Sequence, residues 1–139
     1  MFPPCKAVEF FKRPVEGALN LILTERYHGQ SQHYYENALK FLQEGEPQKA
    51  AEFLWGTMAE TFKAIAASRG RELRTHREIW DYAREVAKEL NDESIWFGFK
   101  AAHSLHSDFY EAGLTLDDVK LEWETLIRPT LDKLTSLLP

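Results

Sequence analysis

Ala51-Glu52-Phe53-Leu54-Trp55-Gly56-Thr57-Met58-Ala59-Glu60-Thr61-Phe62-Lys63-Ala64-Ile65-Ala66 carries the clearest periodicity in the chain. Ala51, Leu54, Trp55, Met58, Phe62, Ile65 and Ala66 recur at steps of three and four, so they share one face of an amphipathic helix. Gly45-Glu46-Pro47 stops one element and starts this one, and Gly70 supplies a left-handed cap for its end. Gly56 inside such a helix costs roughly 1 kcal/mol relative to alanine, which a close helix–helix crossing would justify.

The same reading extends outward in both directions. Upstream, Pro14 suits a first helical turn, and Val15, Ala18, Leu19 and Ile22 follow at helical spacing. Gly29 interrupts, and Ser31 can cap a restart through Tyr35, Ala38, Leu39 and Leu42. One bent helix and two helices both satisfy this pattern. Downstream, Thr75 with Glu78 is a capping-box pair that places His76 in the first turn of a helix through Ile79, Trp80, Ala83, Val86 and Leu90. Asn91 can cap the next, with Ile95, Phe99, Ala102, Leu105 and Phe109 on one face and Gly113 closing it. Thr115 with Asp118 opens the last, where Pro129 predicts a kink by removing a ladder bond. No stretch alternates as a strand does. The chain reads as all-α, an antiparallel bundle of five or six helices.

Bulk properties narrow the function. The 139 residues carry 44% hydrophobic side chains and a net charge of −5, enough for one domain with an ordinary core. A sequence pI near 5.5 argues against coating nucleic acid by bulk charge, so any such binding must be local. Cys5 is the single cysteine and cannot form an internal disulfide. The start lacks the apolar run of a signal peptide and no stretch is long enough to span a bilayer, which predicts a cytoplasmic protein.

Charge is unevenly placed. Lys63, Arg69, Arg71, Arg74 and Arg77 stand against Glu72 alone between positions 63 and 77, giving that segment +4 and the remainder −9. Cations gathered around His76 predict a phosphate-bearing partner. Near-neutral imidazole can move a proton, and a guanidinium can hold phosphate oxygens. His103 and His106, three apart on one helix, can present two imidazoles to one metal, but no third ligand follows from the sequence, and no metal or other cofactor is expected. His106 and Tyr110, one turn apart, are candidates for lining a polar pocket. Trp55, Trp80, Trp96 and Trp123 fall on or beside apolar stripes, where packing is their expected role.

Ala51-Glu52-Phe53-Leu54-Trp55-Gly56, Phe62-Lys63-Ala64, Gly70 followed by His76-Arg77-Glu78-Ile79-Trp80, and Leu105-His106 with Phe109-Tyr110-Glu111 together resemble the archaeal PaREP family, a branch of the HEPN-like helical domains. The likeness runs from about Ser31 to about Leu126, leaving residues 1–30 as an N-terminal helical extension to a bundle over 31–139. The resemblance implies an antiparallel, often homodimeric bundle that binds RNA or nucleotides. Ribonuclease members of the wider superfamily carry an arginine, four to six residues, then a histidine. Arg71 to His76 fits, as does Arg69 to His76. Arg26 to His33 fits as well, so spacing alone selects nothing. What distinguishes Arg71 and His76 is their place between a helix end and the next helix start.

By resemblance, then, Arg71 and His76 are the catalytic candidates for a metal-independent endoribonuclease, with Lys63, Arg69, Arg74 and Arg77 as phosphate contacts. Since one histidine is half of an acid/base pair, a second copy across a two-fold axis would complete it. The alternative is a non-catalytic helical adaptor that binds another protein through its surface.

Overall fold

The computed structural model describes the backbone of residues 4–139 and the side chains from Gly17 onward. Its elements are α1 (Pro4–Gln43), α2 (Pro47–Ser68), α3 (His76–Glu89), α4 (Glu93–Ser107), α5 (Phe109–Ala112), α6 (Leu116–Glu122), a π turn (Trp123–Ile127) and α7 (Arg128–Thr135). No strand occurs among the described residues.

The helix read first from sequence is the centre of the bundle. Leu54, Met58, Phe62 and Ile65 of α2 are fully buried, each contributing roughly 1.5–3 kcal/mol by leaving water. α2 folds back along α1: Phe53 stacks on Phe41 at 5.5 Å, and further along Ser31 meets Thr61, hydroxyl to hydroxyl, at 2.7 Å. Gly56 marks where the two helices approach closely, since a Cβ there would lie 2.8 Å from the Tyr34 ring. The remaining helices cover the other side of α2, with Phe99 of α4 set edge-on to Phe62 at 5.5 Å.

Several boundaries differ from expectation for local reasons. α1 begins at Pro4 and passes unbroken through Pro14, Gly29 and Ser31. Ser31 does not cap a restart because its hydroxyl is turned into the α1–α2 seam, toward the Thr57 carbonyl and the Thr61 hydroxyl. Asp92 rather than Asn91 caps α4, accepting from the Ser94 N–H at 3.0 Å. Asn91 instead takes a left-handed conformation, φ 49°, which asparagine tolerates better than most residues. Hydrogen bonds from Lys133 and then Ser94 hold the Asp92 carboxyl down to about 2, tying the start of α4 to α7. The full capping box forms at Thr115 and Asp118. The disturbance expected at Pro129 takes the form of the π turn just before it, where the Arg128 N–H reaches the Trp123 carbonyl.

At α3 the box is half made. Thr75 Oγ1 accepts from the Glu78 N–H at 3.1 Å, while the Glu78 carboxylate accepts from the Arg74 N–H instead. Thr75→Ala is expected to cost about 1 kcal/mol, read as a lower urea midpoint at unchanged slope. Loss of nothing measurable would mean the cap does not hold this helix start.

Candidate functional site

His76 opens α3, and its position is fixed from both sides. Leu73 in the preceding loop is buried in the core, and the Thr75 cap sets the direction in which α3 leaves. From α4, His103 and His106 project one turn apart onto the same side. The three imidazoles meet at a single indole. Ring centroids of His76, His103 and His106 lie 5.9, 5.1 and 6.3 Å from Trp55 of α2. His76 and His103 stand edge-on to the indole and His106 stacks along it. Trp80 flanks His103 from the other side at 5.1 Å. Trp55 is itself buried, while His76 and His106 are exposed and His103 is half-buried.

Burial pushes the His103 pKa below its ordinary value, with the neighbouring His106 and His76 adding to the effect and Asp108 opposing it. His103 is therefore neutral at pH 7 and able to accept a proton. The three rings converge on the indole rather than on a common point, and among the described residues no set of three histidine, cysteine or carboxylate side chains is placed to hold a metal ion.

The His103 shift has a consequence for stability. Its folded pKa lies below the unfolded one, so the fold favours the neutral ring. That contribution is complete above the ordinary value of 6.5 and is lost as pH falls below it, until the folded pKa is passed. His103→Gln should therefore flatten the decline in melting temperature between roughly pH 7 and pH 5. An equal decline in both proteins would assign the acid sensitivity elsewhere.

The arginines of the basic segment go elsewhere. The Arg71 guanidinium lies over the Tyr82 ring, 4.7 Å from its centroid, and donates to Glu85 at 2.6 Å. Arg69 donates to Glu89 at 2.8 Å and to the Tyr82 hydroxyl at 3.3 Å. Together these side chains line a cleft of about 270 Å³ on α3. Glu85 follows His76 by nine positions, which is about 13.5 Å of rise and half a turn around the helix. One chain therefore does not bring Arg71 and His76 together.

The other cations are also engaged: Arg74 with Glu72, Arg77 with Asp81 and Lys63 with Glu60, each at 3.3 Å. Every cation counted in the +4 segment thus has a carboxylate beside it, several of them from α3, which a count along positions 63–77 leaves out. Tyr110 does not join His106. α4 ends at Ser107 between them, and Tyr110 is 75% exposed beside Phe109. His103, which the sequence offered only as half of a metal pair, is the histidine the structure adds to His76. The signal available for it was its three-residue spacing from His106.

A family model described as the archaeal PaREP1/PaREP8 family matches residues 26–128. No curated protein and no solved structure matches the chain.

Proposed function

The chain belongs to the archaeal PaREP1/PaREP8 family, and on that premise we propose that it is an HEPN-like antiparallel bundle that binds RNA at the histidine face and cleaves it without a metal. The observation that carries this reading is the gathering of His76, His103 and His106 on Trp55. It supplies within one chain the acid/base pair that a single histidine lacks. Neutral His103 takes the proton of a ribose 2′-hydroxyl, and the 2′-oxygen attacks the adjacent phosphorus. His76, as the general acid, delivers a proton to the departing 5′-oxygen. The products are a 2′,3′-cyclic phosphate and a free 5′-hydroxyl, and a second proton exchange with water resets the pair.

Phosphate binding falls to Arg74 and Arg77, which flank His76, with the free N–H groups of the first turn of α3 alongside. Their ion pairs with Glu72 and Asp81 are solvent-exposed. Such pairs contribute about 0–1 kcal/mol, so the phosphodiesters of an RNA backbone, one negative charge each, can displace the carboxylates. Nucleotide phosphate without turnover uses the same contacts. Arg71 and Arg69 have no part in this scheme within one chain. They serve instead to tie the loop before α3 to that helix.

The test is cleavage of single-stranded RNA by purified protein in EDTA, with cyclic phosphate ends identified on the products. His76→Ala should abolish it. Equal cutting by that variant would assign the activity to a contaminant. The adaptor reading is favoured by one observation, the neutralisation of each arginine by a carboxylate. It requires that neither RNA nor nucleotides bind at low salt.

A further inference from the structure

A groove of about 500 Å³ runs between α4 and α6, and none of the three histidines lines it. Its walls are apolar. Leu105, Leu114 and Leu126 form them with Phe97 and Leu121, which are 50% and 62% exposed. Large apolar side chains gathered in a concave patch and left open to water mark a binding surface, as scattered ones do not. The volume falls within the range of small-molecule sites, roughly 300–1,000 Å³. It suits one compact ligand.

Charge decides what kind. Asp108, Asp118 and Glu122 line the groove against one cation, Lys100. Two of these acids already have donors. Asp118 Oδ2 accepts from the Thr115 N–H at 2.8 Å and from the Thr115 hydroxyl at 3.0 Å. Asp108 accepts from the Ser107 hydroxyl at 3.2 Å. Glu122 differs, because its Oε2 is shielded from solvent and meets no hydrogen-bond donor. Lys100 does not supply one. Its ammonium makes no ion pair among the described residues and lies 5.9 Å from the centre of the Trp96 ring.

A carboxylate oxygen held from water without a donor carries a desolvation cost that an entering donor relieves. Since Glu122 lines the groove, a turn of its flexible side chain brings that oxygen to a donor arriving there. A neutral donor would satisfy the oxygen, but a cation makes the stronger bond and also offsets the excess of acid. A metal ion does not fit, because among the described residues no three carboxylate, histidine or cysteine side chains are placed to hold one. We propose that the α4–α6 groove binds a small amphiphilic amine. Its ammonium donates to the Glu122 carboxylate, and its apolar body lies between Phe97, Leu121 and Leu126. The site is separate from the histidine face, so it stands whether or not the chain cleaves RNA.

The test is titration of the isotope-labelled full chain with octylammonium, octanol and octanoate, read from backbone amide resonances. The three probes share an apolar body and differ in charge at pH 7. Octylammonium should shift amides of α4 and α6 saturably and bind at least about tenfold more tightly than octanol, as a charge-assisted hydrogen bond requires. Octanoate should bind most weakly. Glu122→Gln should bring octylammonium to within about threefold of octanol, the worth of a neutral hydrogen bond, and leave octanol itself unchanged. Leu121→Asn, at an exposed position, should weaken all three. An absence of saturable shifts, equal affinities for octylammonium and octanol, or a preference that survives Glu122→Gln would each overturn the proposal. So would a helical peptide of leucine and lysine that shifts these amides when octylammonium does not, since the occupant would then be a segment of a partner protein.

Discussion

His103→Ala is expected to lower RNA cleavage by about 10²–10⁴-fold, the ordinary worth of a general acid or base, while Arg71→Ala leaves it within about threefold of wild type. The contrast follows from where the two residues sit. His103 is one of the three imidazoles on Trp55, and burial keeps it neutral at pH 7. Arg71 is spent on Tyr82 and Glu85, around the far side of α3. On the proposed mechanism, truncating His103 removes the proton acceptor but leaves the proposed RNA contacts at Arg74 and Arg77, so binding should persist while turnover fails. Because an acid and a base must be in opposite states, the wild-type rate should trace a bell against pH, with one limb removed in the variant. The opposite ranking, with Arg71 essential and His103 dispensable, would mean that the catalytic centre is built across two chains.

The other large effect is on stability. Gly98→Ala should destabilise the fold by about 3 kcal/mol, near the upper end for overpacking. A Cβ at Gly98 would lie 1.9 Å from Thr130 Oγ1, 2.5 Å from Thr130 Cβ and 2.8 Å from the Leu126 carbonyl oxygen. Thr130 cannot turn aside cheaply, since it is buried and donates to the Ser94 carbonyl at 3.1 Å. Leu126 presents backbone, which has no rotamer to change. The gain in helix propensity, about 1 kcal/mol, is too small to compensate. Two other helical glycines provide controls. At Gly56 the obstruction is the edge of the Tyr34 ring, which can tilt, and at Gly29 a Cβ meets nothing within 4 Å. Denaturant midpoints should therefore fall in the order Gly29→Ala, Gly56→Ala, Gly98→Ala. A Gly98→Ala protein as stable as Gly29→Ala would mean that α4 and α7 are not packed this closely.

What could be read in advance divides along a physical line. Periodicity at Leu54, Met58, Phe62 and Ile65 identified the central helix because burial acts on one face of one element. Caps at Thr75 and Thr115 were legible because they close within four residues. The close crossing at Gly56 was foreseen from the cost of glycine in a helix. The same argument was available at Gly98, but there the neighbour that makes it matter, Thr130, is 32 positions away.

The site followed the same rule. His76 was singled out as a candidate from its local charge and its cap. Its partners were not, because the Trp55 indole that gathers the histidines comes from α2, and two of the rings come from α4. Arg71 satisfied a spacing along the chain, yet Glu85 and Tyr82, which claim its guanidinium, lie a helix away. Counting charge over positions 63–77 likewise omitted the acids of α3 that stand beside those arginines in space.

The π turn at Trp123–Ile127 carries a last implication. Val119, Trp123, Ile127 and Leu131 are all buried, and they follow one another by fours. In an ordinary α-helix three such steps drift about 120° around the axis, enough to rotate Leu131 out of the core. A wider turn winds more slowly and cancels the drift. The loosened coil is thus encoded twice over, by the imino acid that cannot donate and by the unbroken phase of its neighbours. Replacing Pro129 would restore a missing donor, yet the cadence of apolar residues would still ask the backbone to stay unwound.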